Sequence, residues 1–209
     1  MAILHKAVLR PTKLELLATW LPAQPWFPEG GVSDLSRVGA YRFDDPADEV
    51  GIETMIVRAG DGPLVQVPLT YRPSPLEGAD QWLIGTADHS ALGKRWVYDG
   101  CGDPVYATAL ATAILAGQTQ ADLFYEVDGR RERKEDPTRV AGSGTPGTVV
   151  APVGTAVPTT DGTVTVIKAG EVELRIFRVL GDAVDPAGAQ TLTGTWNEGD
   201  APVVLALAS

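Results

Sequence analysis

Glycine and proline interrupt this chain so often that long regular elements have little room to form. The 209 residues include 23 glycines and 16 prolines, which separate short apolar segments. Glycine supplies the backbone conformations of tight turns, whereas proline cannot donate a hydrogen bond inside a helix or a central strand. The pattern therefore predicts many short strands joined by tight turns, with few helices.

Two segments nevertheless carry the signals of helices. Residues 12–21 begin with a threonine N-cap that forms a capping box with Glu15, and leucines recur on one face. Residues 105–116 follow Asp103 as N-cap and a proline at the first helical position, and Gly117 ends the segment. Because this second segment is apolar on nearly all sides, we predict that it lies buried against a sheet.

Strand-like segments fill most of the remaining N-terminal part. We predict strands at residues 38–43, 50–58, 64–71, 81–86 and 122–127. Short turns link the first four of these segments, so we expect antiparallel pairing. The charged residues 128–139 then form a solvated turn or the tip of a hairpin.

The composition changes at residues 141–148, Ala-Gly-Ser-Gly-Thr-Pro-Gly-Thr, which predicts a flexible linker. The chain beyond it is rich in valine and threonine. We predict strands there at residues 149–157, 163–168, 172–179, 190–196 and 203–208. The expected fold is therefore α+β. Residues 1–140 form a curved antiparallel sheet with one buried helix packed across it, and residues 149–209 form a small β-rich subdomain.

The charge balance limits the partners of this chain. It carries 27 acidic and 17 basic residues, a net charge of −10, so neither nucleic acid nor an anionic membrane surface is an expected partner. Cys101 is the only cysteine, which excludes a disulfide framework and favours the cytoplasm. No apolar run reaches the roughly 18 residues of a membrane helix.

The scarcity of two residue types also excludes several kinds of site. The chain has two histidines, His5 and His89, and a single asparagine, Asn197. Histidine-rich metal sites and most histidine-based catalytic triads therefore lack their side chains. We expect no metal and no cofactor.

Three short motifs, in this order, resemble a known domain. They are Gln-Pro-Trp-Phe at residues 24–27 after the first helix, Ile-Gly-Thr-Ala-Asp at residues 84–88, and Tyr-Asp at residues 98–99 before the second helix. Together with the intervening strands, residues 14–127 resemble the N-terminal cap domain of actinobacterial maltokinases. Related glucosamine kinases of the aminoglycoside-phosphotransferase-like group carry a similar cap.

The resemblance extends to the start of the kinase N-lobe. Residues 160–166, Thr-Asp-Gly-Thr-Val-Thr-Val, and residues 174–178, Leu-Arg-Ile-Phe-Arg, are similar in layout to its first strands. Arg175 stands where those kinases have the nucleotide-binding lysine. An arginine fork is not interchangeable with a lysine charge, so the resemblance does not carry nucleotide binding over to this chain.

The residues that phosphoryl transfer needs are not found in the required pattern. This kinase class uses a catalytic-loop aspartate, together with an asparagine and a second aspartate that hold magnesium. Here Asn197 lies near the last residue, and neither histidine begins a His-x-Asp motif. We therefore expect a stand-alone, non-catalytic protein that is not an enzyme. The resemblance implies that it docks on or regulates an enzyme of α-glucan, trehalose or maltose-1-phosphate metabolism.

A rival interpretation is a module that binds a small sugar or a glucan through residues 86–99. Aromatic rings can stack on sugar rings, and carboxylates can bind their hydroxyl groups. The plainer interpretation is a capped turn with aromatic residues in the core. The candidate ligand or partner contacts in this segment are Asp88, His89, Lys94, Arg95, Trp96 and Tyr98.

Three further features have both a structural and a functional interpretation. Trp26 and Phe27 form either a lid on the core or an exposed anchor for a partner. Arg175 is a further candidate contact. An acidic cluster between Phe43 and Arg58 predicts a solvated loop or a docking surface, and only as a weaker alternative a metal site or the site of a divergent carbohydrate-active enzyme. The cluster comprises Asp44, Asp45, Asp48, Glu49 and Glu53.

Overall fold

The computed structural model describes residues 2–4, 8–127, 130–133, 136–197 and 199–209. Most of these residues belong to strands or to the turns between them. The helices are α1 (Lys13–Trp20) and α2 (Pro104–Leu115). The strands are β1 (Ala2–Leu4), β2 (Leu9–Arg10), β3 (Leu35–Phe43), β4 (Gly51–Ala59), β5 (Leu64–Arg72), β6 (Leu83–His89), β7 (Gly93–Asp99), β8 (Leu123–Val127), β9 (Arg130–Arg133), β10 (Arg139–Gly142), β11 (Pro158–Asp161), β12 (Val164–Ala169), β13 (Val172–Phe177), β14 (Val179–Leu180), β15 (Gln190–Thr195) and β16 (Val203–Ala208).

The first sheet contains the predicted N-terminal strands. Its order is β2-β6-β7-β5-β4-β3, and all of its pairings are antiparallel. Strand alternation divides β4 between two cores: Ile52 and Ile56 face one, and Met55 and Val57 face the other. The prediction of an α+β fold built on antiparallel strands is confirmed.

Helix α1 covers one face of this sheet and begins as the sequence predicts. The Thr12 side chain accepts a hydrogen bond from the Glu15 backbone, and the Glu15 carboxylate accepts one from the Thr12 backbone. The helix packs against β3 and β6. Its buried residues Leu16 and Leu17 join a core with Met55, Val57 and other apolar side chains.

The second sheet has the order β10-β15-β16-β13-β12-β11 and is also antiparallel. Gly162 and Gly170 occupy its hairpin turns with φ of +54° and +66°, a region that favours glycine. Strand β16 lies between β15 and β13, so the last strand completes this sheet. The strand predicted at residues 149–157 is wrong, because this segment is irregular. Its valines suggested a strand, but a proline at 152 and a glycine at 154 interrupt it.

Helix α2 packs on the second sheet. It lies against β10, β15, β16, β12 and β13. Its buried residues, including Tyr106, Leu110 and Ile114, share one core with Tyr41 and Ile52 of the first sheet. The buried helix that the sequence indicates is therefore present, and it packs directly on the C-terminal sheet while sharing a core with the first sheet.

The segment predicted to be a flexible linker is tied closely to the end of α2. Gly144 N donates to Ile114 O at 2.9 Å, and Thr145 N donates to Leu115 O at 2.9 Å. A Cβ atom at Gly142 would stand 1.9 Å from Ala113 O, so glycine allows the two backbones to meet. These contacts replace the expected flexible connection. The division into residues 1–140, 141–148 and 149–209 stays a prediction.

Arg178 joins the two sheets where β13 leaves the second sheet and β14 pairs with β5 of the first. Its side chain is 1% exposed. It donates to Asp99 Oδ2 at 2.6 Å and to Thr165 Oγ1 at 2.8 Å. Beside it, the Gln66 amide donates to the backbone oxygens of Phe177 and Leu205, at 3.0 and 2.9 Å. A network of buried polar groups therefore spans the contact between the sheets.

A small third sheet contains the predicted strand near residue 122 and part of the charged stretch. Strand β8 pairs in parallel with β1 and antiparallel with β9, so residues 130–133 of the charged stretch form a strand. Residues 128–129 and 134–135 of that stretch lie outside the described residues. Within the described ranges, no helix is long and apolar enough to cross a membrane.

Candidate functional site

A large cleft opens between the first sheet and the outer side of α2. Its volume is about 1090 Å³. Its lining comes from the outer side of α2, which we call the floor, from the loop after β3, and from residues 117–124, where Ala121 N donates to Arg42 O at 2.8 Å. The side chains that line it are mostly apolar: Phe43, Pro46, Ala47, Pro104, Val105, Ala109, Ala121, Phe124, Pro152 and Val153, with Asp44, Asp45, Thr108, Thr112, Gln118, Thr119, Gln120 and Asp122 among them.

The two threonines on the floor of the cleft use their hydroxyl groups within the protein. Thr108 Oγ1 donates to Pro104 O at 2.8 Å and accepts a hydrogen bond from Val153 N at 2.9 Å. Thr112 Oγ1 donates to Thr108 O at 2.8 Å. The floor is therefore less polar than its composition suggests, since these hydroxyl groups already have partners.

Acidic residues border one side of the cleft. Asp45 accepts hydrogen bonds from the backbones of Ala47, Glu49 and Val50, so its carboxylate shapes the loop. Asp48 and Glu49 are exposed beside it. We call this loop, residues 44–49, the acidic lip. Among the described residues that line the cleft, none is basic.

Glu53 does not belong to this acidic lip, so the carboxylate cluster suggested by the sequence is divided. It is 5% exposed and faces α1 on the other side of the sheet. Its carboxylate accepts hydrogen bonds from Lys13 Nζ at 2.5 Å and Tyr71 OH at 2.8 Å, and Arg42 Nη2 lies 3.4 Å away. Burial alone would raise the pKa of Glu53. Arg42, Lys13 and the hydrogen bonds outweigh that effect and hold this pKa well below 4.5.

This arrangement predicts that Glu53 stabilises the fold above pH 5 and loses that contribution in acid. A carboxyl group whose pKa is lower in the folded state binds fewer protons there, so protonation favours unfolding as the pH falls through 4.5 and below. One such group contributes at most about 1.4 kcal/mol per pH unit. Urea unfolding between pH 7 and pH 3 measures the slope. Glu53→Gln should be less stable at pH 7 and show a shallower slope.

Glu49→Gln is the control for this prediction, because it changes an exposed carboxylate of the acidic lip. It should follow the wild-type curve. An unchanged slope in Glu53→Gln would show that the buried carboxylate does not contribute to the acid sensitivity.

The segment at residues 86–99 is the β6–β7 hairpin, and His89 stabilises its turn. Its Nδ1 accepts hydrogen bonds from the backbones of Ala91 and Leu92, at 3.3 and 3.1 Å. Arg95 Nη2 donates to Leu92 O at 2.8 Å in the same turn. These contacts agree with the interpretation of this part of the segment as a capped turn.

Three other candidate residues lie along one face of the hairpin. Asp88 pairs in register with Lys94, and Lys94 Nζ lies 4.9 Å from the centre of the Trp96 ring. Further along the strand, Tyr98 is 1% exposed, and its hydroxyl accepts a hydrogen bond from Leu76 N at 2.9 Å. The structure thus brings Asp88, Lys94 and Trp96 together and places Tyr98 in the core. Their role as ligand contacts stays a prediction.

Trp26 and Phe27 occupy the turn after α1. Trp26 is 4% exposed. The centre of its ring lies 5.8 Å from the centre of the Trp20 ring and 4.6 Å from the Arg178 guanidinium. Phe27 is half-buried against the same core. This geometry agrees with a lid on the core and leaves Trp26 little surface for a partner.

Arg175 lies far along the chain from these groups, on β13. Its side chain is 54% exposed and donates to Glu173 Oε1 at 2.9 Å. The described part of the chain contains no group of three or more histidine, cysteine, aspartate or glutamate residues that could hold a metal ion.

The sequence interpretation missed the outer face of α2 and the Arg178–Asp99 pair. The outer face of α2 contains small residues at helical spacing, from Val105 to Thr112. Because the helix is apolar on nearly all sides, its sequence predicts that every face is buried. Arg178 directly follows β13 and continues the two-residue spacing of the buried Leu174 and Ile176, and that spacing is a signal for a buried charge. Nothing local identifies its partner, which lies 79 positions away.

The fold is α+β, with a curled sheet in the N-terminal half and a β-rich second region. Residues 20–103 match the family model of the maltokinase N-terminal cap domain. This match confirms the resemblance to the cap domain over these residues. The match covers β3 to β7 and ends at the N-cap of α2. A search of curated proteins found no match.

Proposed function

We propose that this protein acts by binding, as a cap-like accessory protein that docks on or regulates an enzyme of α-glucan, trehalose or maltose-1-phosphate metabolism. The match of residues 20–103 to a maltokinase cap domain supports the metabolic setting. The apolar cleft beside the acidic lip supports a role in binding a protein, because interfaces combine an apolar centre with a polar rim.

Affinity capture from the native cell lysate, followed by binding and turnover measurements with the purified enzyme, tests this proposal. We expect enrichment of an enzyme that uses an α-glucan, trehalose or a maltose phosphate. We also expect the purified enzyme to bind directly and to change its turnover on binding. Enrichment of unrelated proteins alone, or no direct binding, would contradict the proposal.

The second candidate function is a module for a small sugar, and the Asp88, Lys94 and Trp96 face of the hairpin favours it. Calorimetry with maltose, maltose 1-phosphate, glucosamine and ATP separates the two functions. Micromolar binding of a sugar that is lost in Trp96→Ala would favour the sugar module. A phosphate-transfer assay with magnesium should remain at background, and turnover that is lost in Arg175→Ala would establish a kinase instead.

A further inference from the structure

The cleft is larger than most sites for small molecules and is mainly apolar. Ligand pockets usually measure about 300–1,000 Å³ and contain a few convergent polar groups. This cleft measures about 1090 Å³, and the hydroxyl groups of Thr108 and Thr112 on its floor are already hydrogen-bonded within the protein. A sugar on this floor would find the two threonine hydroxyl groups already in use, so its own hydroxyl groups would gain little there.

The ionisable side chains that line the cleft are acidic. The acidic lip contributes Asp44 and Asp45 to the lining, and the exposed carboxylates of Asp48 and Glu49 follow them in the same loop. In residues 117–124, the carboxylate of Asp122 forms an ion pair with Arg133. A ligand that fills the apolar floor and carries positive charge toward the lip would therefore gain both burial of apolar surface and electrostatic attraction.

We propose that the cleft binds a polypeptide segment of the partner enzyme in which apolar side chains are flanked by lysine or arginine. The apolar side chains lie on the floor along Val105 and Ala109, and the basic flank faces the acidic lip. This inference rests on the proposed function and specifies the chemistry of its partner.

The test uses a fluorescein-labelled synthetic amphipathic helix with leucines on one face and lysines at both ends. Its matched partner has glutamates in place of the lysines. By fluorescence anisotropy, the lysine peptide should bind at least about tenfold more tightly than the glutamate peptide. This advantage should shrink as the salt concentration rises from about 50 mM to about 500 mM.

Two changes in the protein locate the binding. Ala109→Glu places a charge on the floor and should weaken binding of the lysine peptide at least about tenfold. Ala183→Glu is the control, because it adds the same charge at an exposed position elsewhere. The Asp48→Asn and Glu49→Gln double variant should lower affinity for the lysine peptide and not for the glutamate peptide. Circular dichroism melts establish that each variant is folded.

Several results would overturn the inference. These are equal binding of both peptides, binding of neither, or unchanged binding in Ala109→Glu. If the free chain dimerises and Ala109→Glu abolishes the dimer, the cleft binds a second copy of the chain. If maltoheptaose displaces the peptide, the cleft binds a glucan.

Affinity capture with Ala109→Glu and with the wild type distinguishes a failure of this inference from a failure of the proposed function. If Ala109→Glu captures the enzyme as well as the wild type does, the proposed function stands and the cleft is not the docking surface. If the lysine peptide binds in the cleft but no enzyme of these pathways is captured, the inference stands and the proposed function fails.

Discussion

Replacing Arg178 with methionine should lower the free energy of unfolding by about 3–5 kcal/mol. The substitution keeps most of the side-chain volume but leaves the Asp99 carboxylate, which is 4% exposed, without its guanidinium partner at 2.6 Å. It also removes the donor to Thr165 and the contact with the Trp26 ring. Urea unfolding at pH 7 measures the loss.

Arg175→Met is a matched control on the same strand. Arg175 is 54% exposed, and its ion pair with Glu173 is a surface pair, so its loss should cost less than about 1 kcal/mol. The Asp99→Asn and Arg178→Met double variant should recover part of the stability, because no unpaired charge remains. Equal losses in Arg178→Met and Arg175→Met would contradict this account of the contact between the sheets.

Replacing Gly144 with alanine should destabilise the protein by about 3 kcal/mol, the upper end of the usual cost of overpacking. A Cβ atom at Gly144 would lie 2.0 Å from Leu115 O, and one at Gly142 would lie 1.9 Å from Ala113 O. These oxygens belong to the backbone of α2, so no flexible side chain can move aside. Calorimetric melting should show a lower Tm for either variant.

Gly154→Ala is the control for the glycine variants. No heavy atom lies within 4 Å of the Cβ position at Gly154, and its φ is outside the region that favours glycine. This variant should therefore be neutral or stabilising by up to about 1 kcal/mol, since alanine restricts the unfolded chain. If Gly144→Ala behaved in the same way, the segment would be the flexible linker that its composition suggests.

Much of the fold could be predicted because its signals are local. Alternating apolar residues mark β5, a run of apolar residues marks β4, glycines at 162 and 170 mark hairpins, and the Thr12 capping box marks the start of α1. The position of Glu53 could also have been predicted. It lies between Ile52 and Thr54 inside a predicted strand, whereas the other carboxylates precede that strand. Successive strand residues point to opposite faces, so the side chain of Glu53 is separated from the loop carboxylates.

The remaining features depend on contacts between distant segments. An apolar helix such as α2 has no favoured face, so periodicity cannot choose between two sheets. The cleft is formed by the β3–β4 loop, α2, the residues after it and the segment near Pro152, and no single segment reveals it. Gly142 and Gly144 have the composition of a linker, and only the nearby helix explains why they are small.

The passage of the chain from β13 through Arg178 to β14 affects how this protein can be divided. Expression of residues 1–140 alone would remove the guanidinium that neutralises Asp99, the strand that pairs with the start of β5, and the sheet on which α2 packs. We therefore expect the folding unit to extend well beyond residues 20–103, which match the cap-domain model. An experiment on docking should keep both regions in one polypeptide.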